Sequence, residues 1–247
     1  MEISLKPEII GHIFGMPISN SLVLSLLVSF AIIIGSVVGM KTLRAIPGKV
    51  QNAIECIVEI LLDFMGGALG SREQAKVFFP LVASFFLFIL LNNWVGLLPG
   101  VGSLTLKAIE HGEEVSLPLF RAANSDLNTT LALALVSVIA VQIFAIRKTG
   151  IFQHIKKYII LNRGPVYIFV GLFEFVGEFA RVLSFAFRLF GNIFAGEVLL
   201  VTIMTLVPFL APVPFFGLEL FVGFIQALVF SMLTLVFLKI ATETVEH

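Results

Sequence analysis

Six polar side chains lie within one of the longest apolar runs of the chain, separated by four, three, three, four and four residues. These spacings keep them on one face of an α-helix, because residues three and four apart are neighbours on the helix surface. A stripe of acids, bases and amides inside an apolar helix predicts a functional site within a membrane. Its members are Glu174, Glu178, Arg181, Ser184, Arg188 and Asn192.

Arg188 is the most costly member of this stripe, because it lies about twenty residues from either end of the apolar run. A charged side chain at that depth in a bilayer costs roughly 2.5–3.5 kcal/mol on insertion scales. Its own helix carries no acid three, four or seven residues away, so we expect its partner to come from another chain or from water. Glu178 and Arg181 are explained equally well as a buried pair that fixes helix register.

A second helix carries polar residues that match this stripe in depth. Glu219 and Gln226 are seven residues apart on one face of the last apolar segment. Arg188 and Gln226 are symmetric about residue 207, and Glu197 and Glu219 about residue 208, close to a proline-rich turn. An antiparallel hairpin would bring each pair to the same level within about one turn. Glu197 follows Arg188 by nine residues, about 180° around a helix, and is not expected on the same stripe.

The composition places the whole chain in a membrane. Hydrophobic residues make up 58% and charged residues 13% of the 247 residues, whereas about a quarter of an average soluble domain is charged. The formal net charge of zero gives no reason to expect a nucleic-acid partner. A single cysteine, Cys56, excludes an intrachain disulfide, and the four histidines are not at ligand spacing. We therefore expect no metal and no cofactor.

Apolar runs predict an all-α integral membrane protein with one multi-pass domain over residues 1–247. Five membrane-crossing helices are expected at about 21–40, 77–98, 128–146, 166–209 and 215–240. Residues 49–70 predict an amphipathic interfacial helix, because acids recur every four residues opposite an apolar face. Packing of that helix on the protein's own helices is an equally good interpretation.

The fourth crossing helix is too long to stand upright in a bilayer. At 1.5 Å per residue it would extend about 63 Å, against a hydrocarbon core of ~30 Å. A break near Gly191 and Asn192 would leave backbone groups unsatisfied beside lipid. One long, steeply tilted helix that forms a hairpin with the last helix is therefore favoured.

The charge of the loops predicts the orientation. The segments 41–49 and 147–163 are basic, and the second contains no acid, so both are expected on the cytoplasmic side. The N-terminus is then outside and the C-terminus cytoplasmic.

Four segments resemble one known family. Phe187–Glu197 (FRLFGNIFAGE) closely resembles the signature of the a subunit of F-type ATP synthases. Three further segments also resemble this family: Asn93–Pro99 (NWVGLLP), Asn124–Thr130 (NSDLNTT) and Gly223–Ala227 (GFIQA). Glycine at 196 together with glutamate at 219 resembles one of the family's alternative arrangements.

The resemblance implies a proton channel in the membrane (F0) sector of ATP synthase, not an enzyme on its own. Arg188 would face the carboxylates of a rotor ring of c subunits and separate two half-channels. The outer one would be lined by Asn192, Glu197, Glu219 and Gln226, and the inner one by Glu174, Glu178 and Ser184. Asp126 would lie at the outer mouth or act only as a helix cap.

Further partners implied by the resemblance are the peripheral-stalk b subunits, the F1 sector indirectly, and the lipid of a bacterial plasma membrane. An alternative from a different class is a secondary transporter that binds an anionic substrate at Arg188. Such transporters usually have internal repeats and broken helices, and neither is evident here. A scaffold whose arginine only packs would leave the polar stripe unexplained.

Overall fold

A computed structural model describes residues 7–13, 15–41, 43–44, 46–102, 104–110, 113–151, 165–208 and 210–242. Within these residues the chain forms six long α-helices, and all of them except the second are long and apolar enough to cross a membrane. The predicted all-α integral membrane fold is confirmed. The helices are α1 (Asn20–Lys41), α2 (Lys49–Leu69), α3 (Arg72–Gly96), α4 (Leu127–Thr149), α5 (Pro165–Leu206) and α6 (Pro212–Thr242).

Several helices extend beyond the apolar runs that indicate them. α3 begins at Arg72 rather than near 77, because Ser71 caps it by accepting a hydrogen bond from the backbone N–H of Gln74. The first turn of α3 is polar, so an apolar run does not indicate it, although polar side chains are compatible with a helix. α6 likewise begins at Pro212, where proline fits the first helical position. The basic residues Lys156, Lys157 and Arg163 of the expected cytoplasmic loop lie outside the described residues.

Short β-strands, which the apolar runs do not predict, lie between the helices. β1 (Ile9–Ile13) pairs antiparallel with β2 (Met16–Ser19), and β4 (Thr105–Glu110) pairs with β5 (Glu113–Pro118). A further short strand, β3 (Pro99–Gly102), follows α3. Runs of four to six residues are too short to be recognised among apolar segments of about twenty, so the apolar runs do not indicate these strands.

The core lies between α3, α4, α5 and α6. Phe230 of α6 packs between Phe85 of α3 and Phe185 of α5, with ring centroids 5.5 and 5.0 Å apart. One turn further along α6, the hydroxyls of Ser137 and Thr234 are 2.8 Å apart and join α4 to α6. These contacts connect α6 to α3, α4 and α5.

The amphipathic helix α2 packs on this bundle through its second half. Leu61, Met65 and Leu69 are buried in the core, whereas the apolar side chains of its first half are exposed. On its polar face, Glu59 and Asp63 pair with Arg72 at the start of α3. Packing on the chain's own helices therefore holds for the second half, and an interfacial position of the first half stays a prediction.

α5 continues without a break through Gly191 and Asn192, over 42 residues. The buried face of α5 lies against the core and consists of Val182, Phe185, Ala186, Leu189, Ile193 and Leu200. The opposite face is exposed and rich in phenylalanine. A single long helix thus replaces the alternative of a broken one, and its tilt in the membrane stays a prediction.

Candidate proton-path site

Arg188 lies on the exposed side of α5, away from the core. Its Nη2 donates a hydrogen bond of 3.4 Å to the hydroxyl of Ser184, one turn earlier. Within the described part of the chain, no carboxylate pairs with this guanidinium. The helix therefore presents a cation outward, beside a neutral hydroxyl.

Asn192 and Gln226 connect α5 to α6 one turn beyond Arg188. The amide Nδ2 of Asn192 donates to Oε1 of Gln226 at 2.5 Å. Gln226 is only 4% exposed, and its buried Nε2 has no hydrogen-bond partner among the described residues. The sequence symmetry placed Gln226 at the level of Arg188 to within a turn, and the contact is made by Asn192, four residues away. Both this contact and the approach of Glu219 to Gly196 lie within one turn of the predicted levels.

Glu219 lies further along the same interface and faces Gly196. Its side chain is 5% exposed, and Oε1 has no hydrogen-bond partner among the described residues. A Cβ at position 196 would overlap the carboxylate of Glu219. Glycine at 196 is therefore what makes room for a carboxylate at 219, and this contact gives the pairing of the two residue types its physical reason.

Glu197 lies on the other side of α5, where it meets a loop. Its Oε1 is 3.5 Å from Nε of Arg121, which is buried to 9% exposure and also donates to the hydroxyl of Ser125 at 3.2 Å. The sequence pattern does not indicate Arg121 as a site residue. It reads as one charge of a long loop, and no local spacing relates it to a helix 76 residues later.

Asp126, which directly follows Ser125, is the N-cap of α4. Its Oδ1 accepts a hydrogen bond from the backbone N–H of Asn128 at 2.9 Å. Its Oδ2 accepts from the hydroxyl of Ser21 at 2.7 Å and so ties α1 to α4. Both carboxylate oxygens are bonded within the chain, so a local structural role accounts for its burial.

Before Arg188 along α5, the polar stripe contains an ion pair between Arg181 and Glu178. Arg181 donates to Glu178 at 2.7 Å and lies over the ring of Phe237, 3.9 Å from its centroid. Ser184 is exposed and lies between this pair and Arg188. Glu174 is half-buried and lies one turn before Glu178. The stripe therefore holds one arginine that is paired and one that is not.

Two polar residues at the end of α3 anchor the polar face of α6. Asn93 donates to the backbone carbonyl of Gly223 at 2.9 Å and accepts from Asn124 at 2.7 Å. The indole N–H of Trp94 donates to the carbonyl of Leu220 at 3.1 Å. Since Gly223 lies between Glu219 and Gln226 on their face, these bonds fix that face in position.

Comparison with known proteins shows the family to which this chain belongs. The chain matches the ATP synthase A chain family over residues 21–239. It is a member of the ATP synthase subunit a family. It is 37% identical to ATP synthase subunit a of Gloeobacter violaceus over 206 residues, which cover 83% of this chain and 76% of the relative. It is 33% identical to ATP synthase subunit a of Geotalea daltonii over 214 residues, covering 86% and 82%. The corresponding protein of Campylobacter jejuni is 30% identical over 219 residues, covering 87% of each chain.

As a subunit a family member, the chain brings its separate motifs to one region. Asn93, Asn124 and Gly223 belong to three different motifs and form one hydrogen-bonded unit. Along the α5–α6 interface they support a buried acid, two amides and an exposed cation. A carboxyl group in such a row can take up and release a proton, the amides can hydrogen-bond the carboxyl or water beside it, and a guanidinium can hold an anion in place. Groups of three or more His, Cys, Asp or Glu that could hold a metal are not found in the described ranges.

Proposed function

We propose that this chain translocates protons in the F0 sector of an ATP synthase, with Arg188 facing the carboxylates of a rotor ring. The observation that carries this proposal is the exposure of Arg188 on the outer side of α5, where Ser184 is its only hydrogen-bond partner among the described residues. A charge at that depth needs a counter-charge, and a rotor carboxylate passing the helix supplies one.

The outer half-channel would follow the α5–α6 interface. Glu219, Gln226 and Asn192 lie in order towards the level of Arg188, and two of them have buried polar atoms without a partner among the described residues. Such atoms favour water or a proton donor nearby, because an unmet buried polar group costs about 1–3 kcal/mol. Glu197 would join from the far side of α5, where Arg121 holds it.

The inner half-channel would run along the exposed stripe on the other side of Arg188. Ser184 and Glu174 lie on that face, and Glu178 is tied to Arg181. Glu174 and Ser184 would carry the path, and the Glu178–Arg181 pair would border it.

Arginine is suited to separate these two paths. It keeps its proton at all relevant pH values, whereas a buried lysine can lose its own. A rotor carboxylate that has lost its proton would be held by Arg188 through Coulomb attraction. It would move into lipid only after taking a proton from one half-channel, and this requirement couples proton flow to rotation.

The proposal extends to partners and orientation. The rotor c ring would contact the exposed face of α5, and the b subunits of the peripheral stalk and indirectly F1 would complete the assembly. We place the chain in a bacterial plasma membrane with its N-terminus outside and its C-terminus cytoplasmic. The ends of α4 and α6 and the start of α3 lie together around one groove, and the basic residues Arg147 and Lys148 there favour the cytoplasmic side.

The test is Arg188→Ala in the assembled complex, with Arg72→Ala as the matched control. Arg72 is an exposed arginine paired on the surface with Glu59 and Asp63. Arg188→Ala should abolish proton-driven ATP synthesis in membrane vesicles, whereas the control should keep it. Both variants should copurify with the rotor ring and F1. Normal synthesis by Arg188→Ala, or anion uptake by a chain that copurifies with no rotor ring, would contradict the proposal and favour a transporter.

A further inference from the structure

A groove lies between the start of α3, the end of α4 and the end of α6. Its volume is about 280 Å³, and Thr242 of α6 closes one side. This is near the lower end of the roughly 300–1,000 Å³ that is typical of small-molecule sites. The groove lies at the ends of membrane-crossing helices and away from the polar stripe of α5. The side chains used below are Gln74, Val77, Phe78, Phe144, Arg147 and Lys148.

The rim of the groove is cationic. Arg147 and Lys148 form the last turn of α4 and are exposed. In the part of the chain that the structure describes, neither pairs with a carboxylate. The side-chain amide of Gln74, across the groove, is exposed as well. Two cations and one amide are suited to a phosphate with a polar substituent.

The floor of the groove is apolar and leads to the membrane-facing surface. Phe78 and Phe144 meet edge to face, with centroids 5.5 Å apart, and Val77 beside them is 62% exposed. On α4, Ile143 and Ile139 continue below Arg147 at spacings of four residues and are 46% and 55% exposed. A cation therefore stands at the end of an apolar track on the outside of the bundle.

We propose that this groove binds the headgroup of an anionic glycerophospholipid. The phosphate would lie between Arg147 and Lys148, and an acyl chain would follow the track on α4. A lipid is favoured over free phosphate because three of the seven lining residues are apolar and the apolar surface continues along the outside of α4. Anionic lipid headgroups are bound by basic pockets between helices on the cytoplasmic side of membranes. This site does not depend on the proposed proton path.

The experiment compares lipid retention by the purified full chain. Native mass spectrometry would count bound lipids after incubation with vesicles of phosphatidylglycerol or of phosphatidylcholine. The wild-type chain should retain phosphatidylglycerol preferentially. Arg147→Gln and Lys148→Gln should each reduce that preference about fivefold, and the double change should nearly remove it. The preference should also weaken as salt is raised.

Lys76→Gln is the matched control. Lys76 lies in the first turns of α3, close to the groove in sequence, but it pairs with Glu73 at 2.8 Å and does not line the groove. This variant should retain the wild-type preference. Equal retention of both lipids by the wild type, or an unchanged preference in the double variant, would overturn the proposal. Displacement of the lipid by an equal concentration of inorganic phosphate would instead assign the groove to free phosphate.

Discussion

Arg181 and Arg188 lie two turns apart on the same stripe of α5, yet their surroundings differ. Arg181 donates to Glu178 and stacks on Phe237, and only 24% of its side chain is exposed. Arg188 is exposed, and within the described ranges its guanidinium donates only to the hydroxyl of Ser184. The first arginine has its counter-charge and its packing within the chain, whereas no carboxylate among the described residues pairs with the second.

The same contrast separates two buried acids. Asp126 has hydrogen-bond donors on both carboxylate oxygens. Glu219 is equally buried, but its Oε1 has no partner among the described residues. Satisfied groups are explained by the fold itself. Groups that the fold leaves unsatisfied, at a cost, are the better candidates for a role in transport.

The most direct test of this contrast exchanges each arginine for lysine. Arg188→Lys should reduce proton-driven ATP synthesis by roughly 10²-fold, because lysine can lose its proton and lacks the planar fork. Arg181→Lys should reduce it less than about threefold, because a lysine can keep the ion pair with Glu178. ATP synthesis in energised vesicles measures both. Equal losses in the two variants would break the distinction between the paired and the unpaired arginine.

Helical periodicity explains why Arg188, Asn192 and Gln226 can be found from the sequence. Spacing along one helix determines which side chains share a face, and a short proline-rich turn fixes the level of the next helix to within about a turn. Which side chains meet within that turn depends on side-chain packing. That packing includes the glycine at 196, against which Glu219 lies.

The contact between Arg121 and Glu197 could not be predicted in the same way. It joins a loop to a helix, and the path of a loop is set by non-local packing rather than by a repeating pattern. The short β-hairpins and the polar first turn of α3 could not be predicted from the apolar runs for a related reason. Apolar runs report which residues meet lipid, not where the backbone hydrogen bonds continue.

Glu219→Gln sharpens the contrast between the acids. Glutamine keeps the shape but cannot release a proton, so passive proton conduction through F0 should fall roughly tenfold. This is less than the 10²–10⁴ that a proton-transfer group contributes when it acts alone, because Glu197 remains. Ser184→Ala should have a smaller effect, because Ser184 is exposed and water can replace its hydroxyl on the inner path. Conduction in F1-stripped vesicles gives the order, and the reverse order would argue against the outer path.

Gly196→Ala tests whether the space for that acid matters. The added methyl would overlap the carboxylate of Glu219, and overpacking of this kind costs about 1–3 kcal/mol. Gly191→Ala is the control on the same helix, because nothing lies within 4 Å of its added Cβ. Thermal unfolding should show a loss for Gly196→Ala and little change for the control. The shorter Glu219→Asp should restore part of the loss in the same chain, and no restoration would mean that the methyl acts elsewhere.

Asp126 gives the smallest and most selective effect. Asparagine caps helices about as well as aspartate, so Asp126→Asn should keep both the cap of α4 and wild-type stability while removing the charge. Asp126→Ala should lose about 0.5–2 kcal/mol of unfolding free energy, because the bond to the backbone of Asn128 disappears. Proton conduction measured beside stability then separates the two roles. Wild-type conduction in the asparagine variant assigns Asp126 to the fold, whereas a stable variant with slowed conduction would place it in the outer path despite its two satisfied oxygens.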